Sequence, residues 1–427
     1  MQEHPAIPSG DSVTDAEKPL YVVPLNTTPP DGGIMAWKVV FGSALAVFSS
    51  LSFVTSAGVF QEFYITHHLS EYSPSQVSWL GSVQTGLTYG AGLLVGRLQD
   101  AYGPRKILPV GSCLVVFGAM MASLSHKYYH FLLSQGVCIG IGTAFCQVAA
   151  CASTNSWFVQ RRGLASGLLG CGTGIGAVIL PIMVEKLVPA VGFGWMMRII
   201  AFLMMLLLCA SNLLVRSFHA PTGWSKITLH DFLSPFRDPT WRWQCTSEVC
   251  TMCGIFVPIN FIGMFATHQG MSSGNARYLI TYLNAASVVG RGMAIVGDKI
   301  GRYNVISCVV TMLSILCFMP LAITNVAGIV VFTIFYGFFL GAYLAIYPAC
   351  IGQISREEEF GHRMGVIMAF ESMAVLGSLP IAGRLVQAND GAFVYLFIFS
   401  GVMILGGAGF YTYLRFRLAH FKLWRKV

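Results

Sequence analysis

Two kinds of charged residue stand out in a chain in which only 10% of residues are charged: charges deep inside apolar stretches, and charges repeated at matching places in the two halves. Arg291 lies seven residues before Asp298 on one apolar stretch, about 10 Å along a helix rising 1.5 Å per residue. A guanidinium at that depth costs a few kcal/mol unless it meets partners or water. It can grip a carboxylate through two parallel hydrogen bonds, so the chemistry is anion recognition. Its structural alternative is to snorkel toward the nearer surface. Asn284 and Ser287 precede Arg291 by seven and four residues, on one side of a helix. With Asn260 they are the candidate substrate contacts, while Gln84 and Gln147 read as helix-to-helix hydrogen bonds. Glu371 stands between Phe370 and Ser372 inside another apolar stretch. A carboxyl there is a candidate proton-carrying group, or an ion-pair partner of Arg291 or Arg198.

The repeated charges lie in two loops. One reads Gly96-Arg97-Leu98-Gln99-Asp100-Ala101-Tyr102-Gly103-Pro104-Arg105-Lys106, the other Gly297-Asp298-Lys299-Ile300-Gly301-Arg302. Each holds Asp-x-x-Gly followed by a cation, and the two Asp residues are 198 apart (298 − 100), close to half the chain. Gly103 and Gly301 permit a tight turn. Asp100 and Asp298 can hold the positive end of a neighbouring helix, and Arg105 and Arg302 can pair with acidic groups or helix C-termini. The six residues make a candidate conformational latch. A looser echo runs from Arg161-Arg162 to Leu180-Pro181 and from Arg363 to Leu379-Pro380. Parallel repeats of this kind belong to transporters that rock one half against the other around a midplane site.

Other patterns carry less chemistry. Gly163, Gly167, Gly170, Gly172, Gly174 and Gly176 mimic a dinucleotide loop, but no strand precedes them, and close helix packing is the better use. Cys250 and Cys253 make one C-x-x-C without a second pair, and His126 and His130 are four apart; neither is expected to bind metal. No Walker loop is present, no cofactor is expected, and no constellation of His, Cys or carboxylates at one depth argues for an enzyme. The net charge of +8 does not mark a nucleic-acid binder, because its distribution follows the membrane.

The elements that must position these residues follow from composition. With 55% of residues hydrophobic, a soluble fold is excluded, since a soluble domain carries roughly a quarter charged residues. Apolar stretches of helix-spanning length fall at 37–63, 75–97, 107–125, 128–153, 163–188, 193–215, 244–268, 276–297, 304–323, 327–352, 363–387 and 391–414. In lipid they must be helices, and their lack of period-two alternation excludes a barrel. The expected fold is an all-α integral membrane protein: twelve transmembrane helices in two pseudo-symmetric six-helix bundles. The expected domains are a disordered tail (1–36), a first bundle (37–216), a linker rich in Pro and charge (217–243), a second bundle (244–414) and a basic tail (415–427). With the N-terminus cytoplasmic, 21 of the 26 Lys and Arg residues fall on the cytoplasmic side, leaving Lys127, Lys186, Arg198, Arg277 and Arg384 opposite. That asymmetry places both termini in the cytoplasm and the chain in the cell membrane as a multi-pass protein.

The paired Asp-x-x-Gly-Arg/Lys loops resemble the signature of the major facilitator superfamily. Pro30-Asp31-Gly32-Gly33-Ile34-Met35-Ala36-Trp37 is similar to the entry motif of its monocarboxylate porter family. Trp157-Phe158-Val159-Gln160-Arg161-Arg162-Gly163-Leu164-Ala165-Ser166-Gly167 is similar to that family's motif at the fifth span. Leu283 to Arg291, followed by Gly301-Arg302-Tyr303-Asn304-Val305, resembles the fungal branch. In the animal lactate carriers a Lys stands where this chain has Thr55 and an Asp where it has Ser287, while their Arg is kept as Arg291. The resemblance implies the major facilitator fold and a secondary, alternating-access transporter. The leading cargo is a small organic acid or carboxylated metabolite, probed by Arg291. The alternative is export of a neutral or larger fungal secondary metabolite, and a remote one is a non-transporting sensor on the same fold. The expected partners are therefore a small-molecule substrate, foremost an organic anion, the lipid bilayer and a co-transported proton.

Overall fold

The structure is a computed structural model that describes residues 29–72, 74–221, 223, 234–323, 325–356, 359–388, 392–422 and 426. Every regular element among them is helical. The spans are α1 (Ile34–Thr55), α2 (Pro74–Gly90, continued as Gly92–Tyr102), α3 (Pro104–Ala122), α4 (Tyr128–Trp157), α5 and α6 within Arg162–Leu214, and α7 (Pro239–His268). They continue as α8 (Ser273–Gly290 with Met293–Ile300), α9 (Arg302–Leu321), α10 (Val326–Ile354), α11 (Phe360–Ala388) and α12 (Val394–Leu418). Among the described residues ten stretches are long and apolar enough to cross a membrane. One of them, 53 residues long, is two helices joined at Gly192, whose φ of 78° only glycine adopts readily. The second span, interrupted at Ala91 between pieces of 17 and 11 residues and carrying more polar residues, is not among the ten. Both facts together restore twelve.

Local chemistry sets the ends. The Asp238 carboxylate accepts the Thr240 amide at 2.8 Å with Pro239 at the first helical position, so α7 starts at Pro239 rather than 244. The Asn325 side chain caps α10 through the Gly328 amide at 2.7 Å. At the chain's start α1 begins at Ile34, before the expected boundary at 37, and α12 runs on to Leu418, past 414. A four-residue 3-10 turn, Ser234–Arg237, precedes α7; the expected linker charges Lys226 and Asp231, the tail 1–28 and Leu423 to Arg425 lie outside the described residues. His126 lies ahead of the start of α4 at Tyr128, so it shares no helix face with His130.

The core is built by close backbone approach. In α5 the glycines serve two faces: Gly172 backs onto Ala44 of α1, and a Cβ at Gly176 would lie 2.7 Å from the Ser52 Cβ of α1, whereas Gly163, Gly167, Gly170 and Gly174 face α8. With no hydrophobic force between helices in lipid, such small-residue contacts supply the packing. Buried hydroxyls bond back to their own helices, as Ser50 does to the Ala46 carbonyl at 2.8 Å.

Candidate functional site

Two seams join the bundles, α2 against α11 and α5 against α8, and they are counterparts. Shifting residue numbers by 198 carries one into the other: Gly96 backs onto the Gly361 carbonyl and Gly365, and Ala294 backs onto Gly163 and Gly167. At the same end each Asp loop reaches across to the other half. The Asp100 carboxylate accepts the Gly361 and His362 amides at 3.0 and 2.7 Å, at the start of α11. The Asp298 carboxylate accepts the Gly163 and Leu164 amides at 2.9 and 2.7 Å, at the start of α5. A carboxylate on the orphan amides of a helix N-terminus contributes about 1 kcal/mol, with the helix dipole adding up to about another. Gly103 (φ 74°) and Gly301 (φ 111°) make the turns that follow.

The cations of the two loops differ. Arg302 donates to Asp298 at 2.9 Å and to the Val159 and Gln160 carbonyls at 2.7 and 3.0 Å, tying α9 to the α4–α5 turn. Arg105 is exposed and makes no hydrogen bond or ion pair among the described residues. The position matching Arg302 is Pro104, which starts α3 and has no charge to offer.

That turn is clamped from a third direction. The Asp31 carboxylate accepts the amides of Val159 and Gln160 at 2.6 and 2.7 Å, and Trp37 packs on Phe158 with ring centroids 5.0 Å apart. Buried Arg162 donates to the carbonyls of Phe158 (2.8 Å), Gly352 (2.5 Å) and Asn155 (3.3 Å). The two sequence segments around Asp31 and Trp157 are thus one structural unit.

Arg291 is buried and donates through Nη1 to the Gly170 carbonyl of α5; its Nε has no partner. The hoped-for cluster around it does not form. The Arg291 amide still bonds the Ser287 carbonyl at 3.2 Å, so the helix runs unbroken from Asn284 to Arg291; the guanidinium reaches α5, while the Ser287 backbone packs on Gly341 of α10. Asn284 is half-buried on the preceding helix, and exposed Asn260 bonds its own helix at the Phe256 carbonyl, 2.8 Å away. Arg198 lies elsewhere, 3.4 Å from the Ser123 hydroxyl. Glu371 therefore pairs with neither arginine.

What the structure puts around Glu371 is a second carboxyl. Glu371 is fully buried and both its oxygens lack a donor. It lies close enough to Glu248 of α7 for the two charges to interact, with Tyr89 of α2 and Tyr343 and Tyr347 of α10 around them. Glu248 is equally buried but satisfied: the hydroxyls of Tyr343 and Tyr411 donate to it, as does the Gln244 amide at 3.0 Å. Tyr303 extends the network by donating to Gln244 at 3.0 Å. Glu248 was not among the sequence-derived candidates, although it stands inside the seventh apolar stretch four residues after Gln244. Among the described residues no group of His, Cys, Asp and Glu is arranged to hold a metal ion.

A family model described as Major Facilitator Superfamily matches residues 42–297 and 245–425. The chain is similar to the MFS transporter asaE of Aspergillus flavus, 40% identical over 385 residues, which span 90% of this chain and 87% of that protein. It is similar to the Fujikurins efflux protein of Gibberella fujikuroi, 36% identical and covering 89% of this chain and 82% of that one. Among solved structures it matches the transporter FucP in the outward conformation with a TM-score of 0.69 at 14% identity, covering 88% of this chain and 98% of that chain. The repeated seams, the crossed Asp loops and these matches agree on one conclusion: the chain belongs to the Major Facilitator Superfamily.

Proposed function

We propose that this chain is a secondary transporter that exports a neutral or larger fungal secondary metabolite by alternating access, in place of the small organic acid that Arg291 first pointed to. The observation that carries this reading is the polarity of the centre. The one deep arginine of the α8 site is bonded to a backbone carbonyl of α5, while two carboxyls, Glu248 and Glu371, lie buried between α7 and α11. A buried site of that sign repels an anion and tolerates a neutral cargo. The efflux protein among the relatives supports the same direction.

The monocarboxylate-porter motifs then mark ancestry of the scaffold: Asp31 and Arg162 hold its α4–α5 turn, and the lactate-type charges are replaced by Thr55 and Ser287. With both termini in the cytoplasm, the latch end is the cytoplasmic end, and the structure is closed toward the cytoplasm. Among the described residues the close glycine approaches between the bundles run from that end to Gly86 and Gly174.

Efflux from yeast lacking its own exporters, loaded with a panel of neutral polyketides and peptides beside simple carboxylates, tests this. Expected is saturable export of neutral compounds, with carboxylates ignored. Saturable carboxylate movement that Arg291→Ala abolishes would replace this reading with the organic-acid porter.

A further inference from the structure

Two carboxyls buried in a membrane core with no cation to balance them call for an explanation that packing does not supply. Glu371 offers four lone-pair directions and receives nothing, and an uncompensated carboxylate in such a place costs far more than a hydrogen bond returns. The titratable groups close enough to interact with it are Glu248 and Cys245 on α7, Tyr89 on α2, and Tyr343 and Tyr347 on α10. None is a base that is positively charged. The nearest cation on its own helix, Arg363, is two turns away, spent on Glu359 at 3.3 Å and the Ile354 carbonyl at 3.0 Å, with its guanidinium 5.0 Å from the Trp241 ring. Among the described residues no Lys, Arg or His pairs with either carboxyl.

Geometry also says when this burial ends. The next residue, Ser372, donates across the seam to the Gly86 carbonyl of α2 at 2.9 Å, and Gly90 and Gly92 seat Ser372 and Met368 along the same line. Glu371 is thus one residue from the α2–α11 seam, and parting that seam from the latch end is what would bring water to it. Glu248 behaves differently, since all its donors belong to the second bundle: Gln244 on α7, Tyr343 on α10, Tyr411 on α12. It keeps them whichever way the bundles rock.

We propose that Glu371 and Glu248 form a proton site in which Glu248 is the fixed anion, Glu371 binds one proton while the α2–α11 seam is closed, and the proton leaves to the cytoplasm when that seam opens. The site rests on the transporter reading only for the direction in which the proton is used. In an exporter it couples outward movement of cargo to inward movement of one proton per cycle, because the proton is carried in the cytoplasm-closed state and released in the cytoplasm-open one. The proton moves between water and a Glu371 carboxyl oxygen, and no other bond changes.

The test needs no cargo, so it can fail while metabolite export stands. Infrared pH titration of the full-length protein in lipid nanodiscs, in choline buffer and again in sodium buffer, reads protonated carboxyls directly. Expected is a protonated-carboxyl band at neutral pH that is lost in Glu371→Gln, kept in Glu371→Asp, and kept in Glu248→Gln with its disappearance moved to lower pH, since the like charge that holds the proton is gone. Thermal unfolding supplies the folding control: Glu371→Gln should be at least as stable as wild type at alkaline pH. A band indifferent to Glu371→Gln would overturn the proposal. So would a band that sodium removes at fixed pH, because the pair would then be a metal-cation site.

Discussion

The α2–α11 and α5–α8 seams are the same device built twice, and the places where they differ show what each is for. Both close with a carboxylate on the N-terminus of a helix in the opposite bundle, and both use glycine to bring backbones together. In the α5–α8 seam charge does the joining: Arg302 binds Asp298 and two carbonyls of the α4–α5 turn, and Arg291 binds the Gly170 carbonyl. The counterpart positions in the other seam are Pro104 and Leu93, and Met368 stands where α5 has Gly170. The α2–α11 seam is therefore the less polar of the two, joined by packing and by the Ser372 hydroxyl, and it runs beside Glu371. One seam is held mainly by charge, and the other by packing beside a buried carboxyl.

The largest expected effect comes from breaking the packed seam. Gly96→Val puts side-chain atoms into the Gly361 carbonyl, with on the order of 3 kcal/mol of overpacking and a shift of roughly a hundredfold away from the latch-closed state. Protease or alkylation accessibility at the latch end measures it. Next is Arg302→Ala, which removes hydrogen bonds to a charged partner and two carbonyls and should cost about 2 kcal/mol in thermal stability. Arg105→Ala, at the loop position that the sequence made equivalent, should stay within about 0.5 kcal/mol. Ser372→Ala removes one inter-bundle hydrogen bond, about 1 kcal/mol or a fivefold shift in the same accessibility assay. A small effect is also expected for Arg291→Leu, which copies Leu93 into the other seam: export of neutral cargo should remain within about threefold, since an apolar side chain of similar reach can replace a buried charged contact at little cost.

These residues also mark how far the sequence could be read. The spans, the interval between the fifth and the sixth, and the Asp-x-x-Gly repeat were legible because length, apolarity and turn chemistry are local properties. That Asp100 and Asp298 cap helices of the opposite bundle was not, since the partners lie 262 and 134 residues away. Arg105 looked like Arg302 from the loop pattern alone, but the place that matters is one residue earlier, where the first loop has proline. Asn284 and Ser287 do share a continuous helix with Arg291, but helical spacing does not say that Ser287 backs onto α10 while the arginine reaches the Gly170 carbonyl of α5. Glu248 escaped attention because the hydroxyls that shelter it come from 95 and 163 residues along the chain.

The most direct test of the account measures both seams at once. Spin labels carried on unnatural amino acids, one pair at Lys106 and Arg356 and another at Gln160 and Lys299, report the two latch distances by pulsed electron resonance in nanodiscs. All four positions are exposed, so labelling leaves the core intact. The account predicts that both distances lengthen together as pH rises in the wild-type protein, and that Glu371→Gln, fixed in its neutral form, keeps both short at alkaline pH. Distances that ignore pH in the wild type, or that lengthen equally in Glu371→Gln, would contradict a proton at Glu371 governing the closure of the two seams.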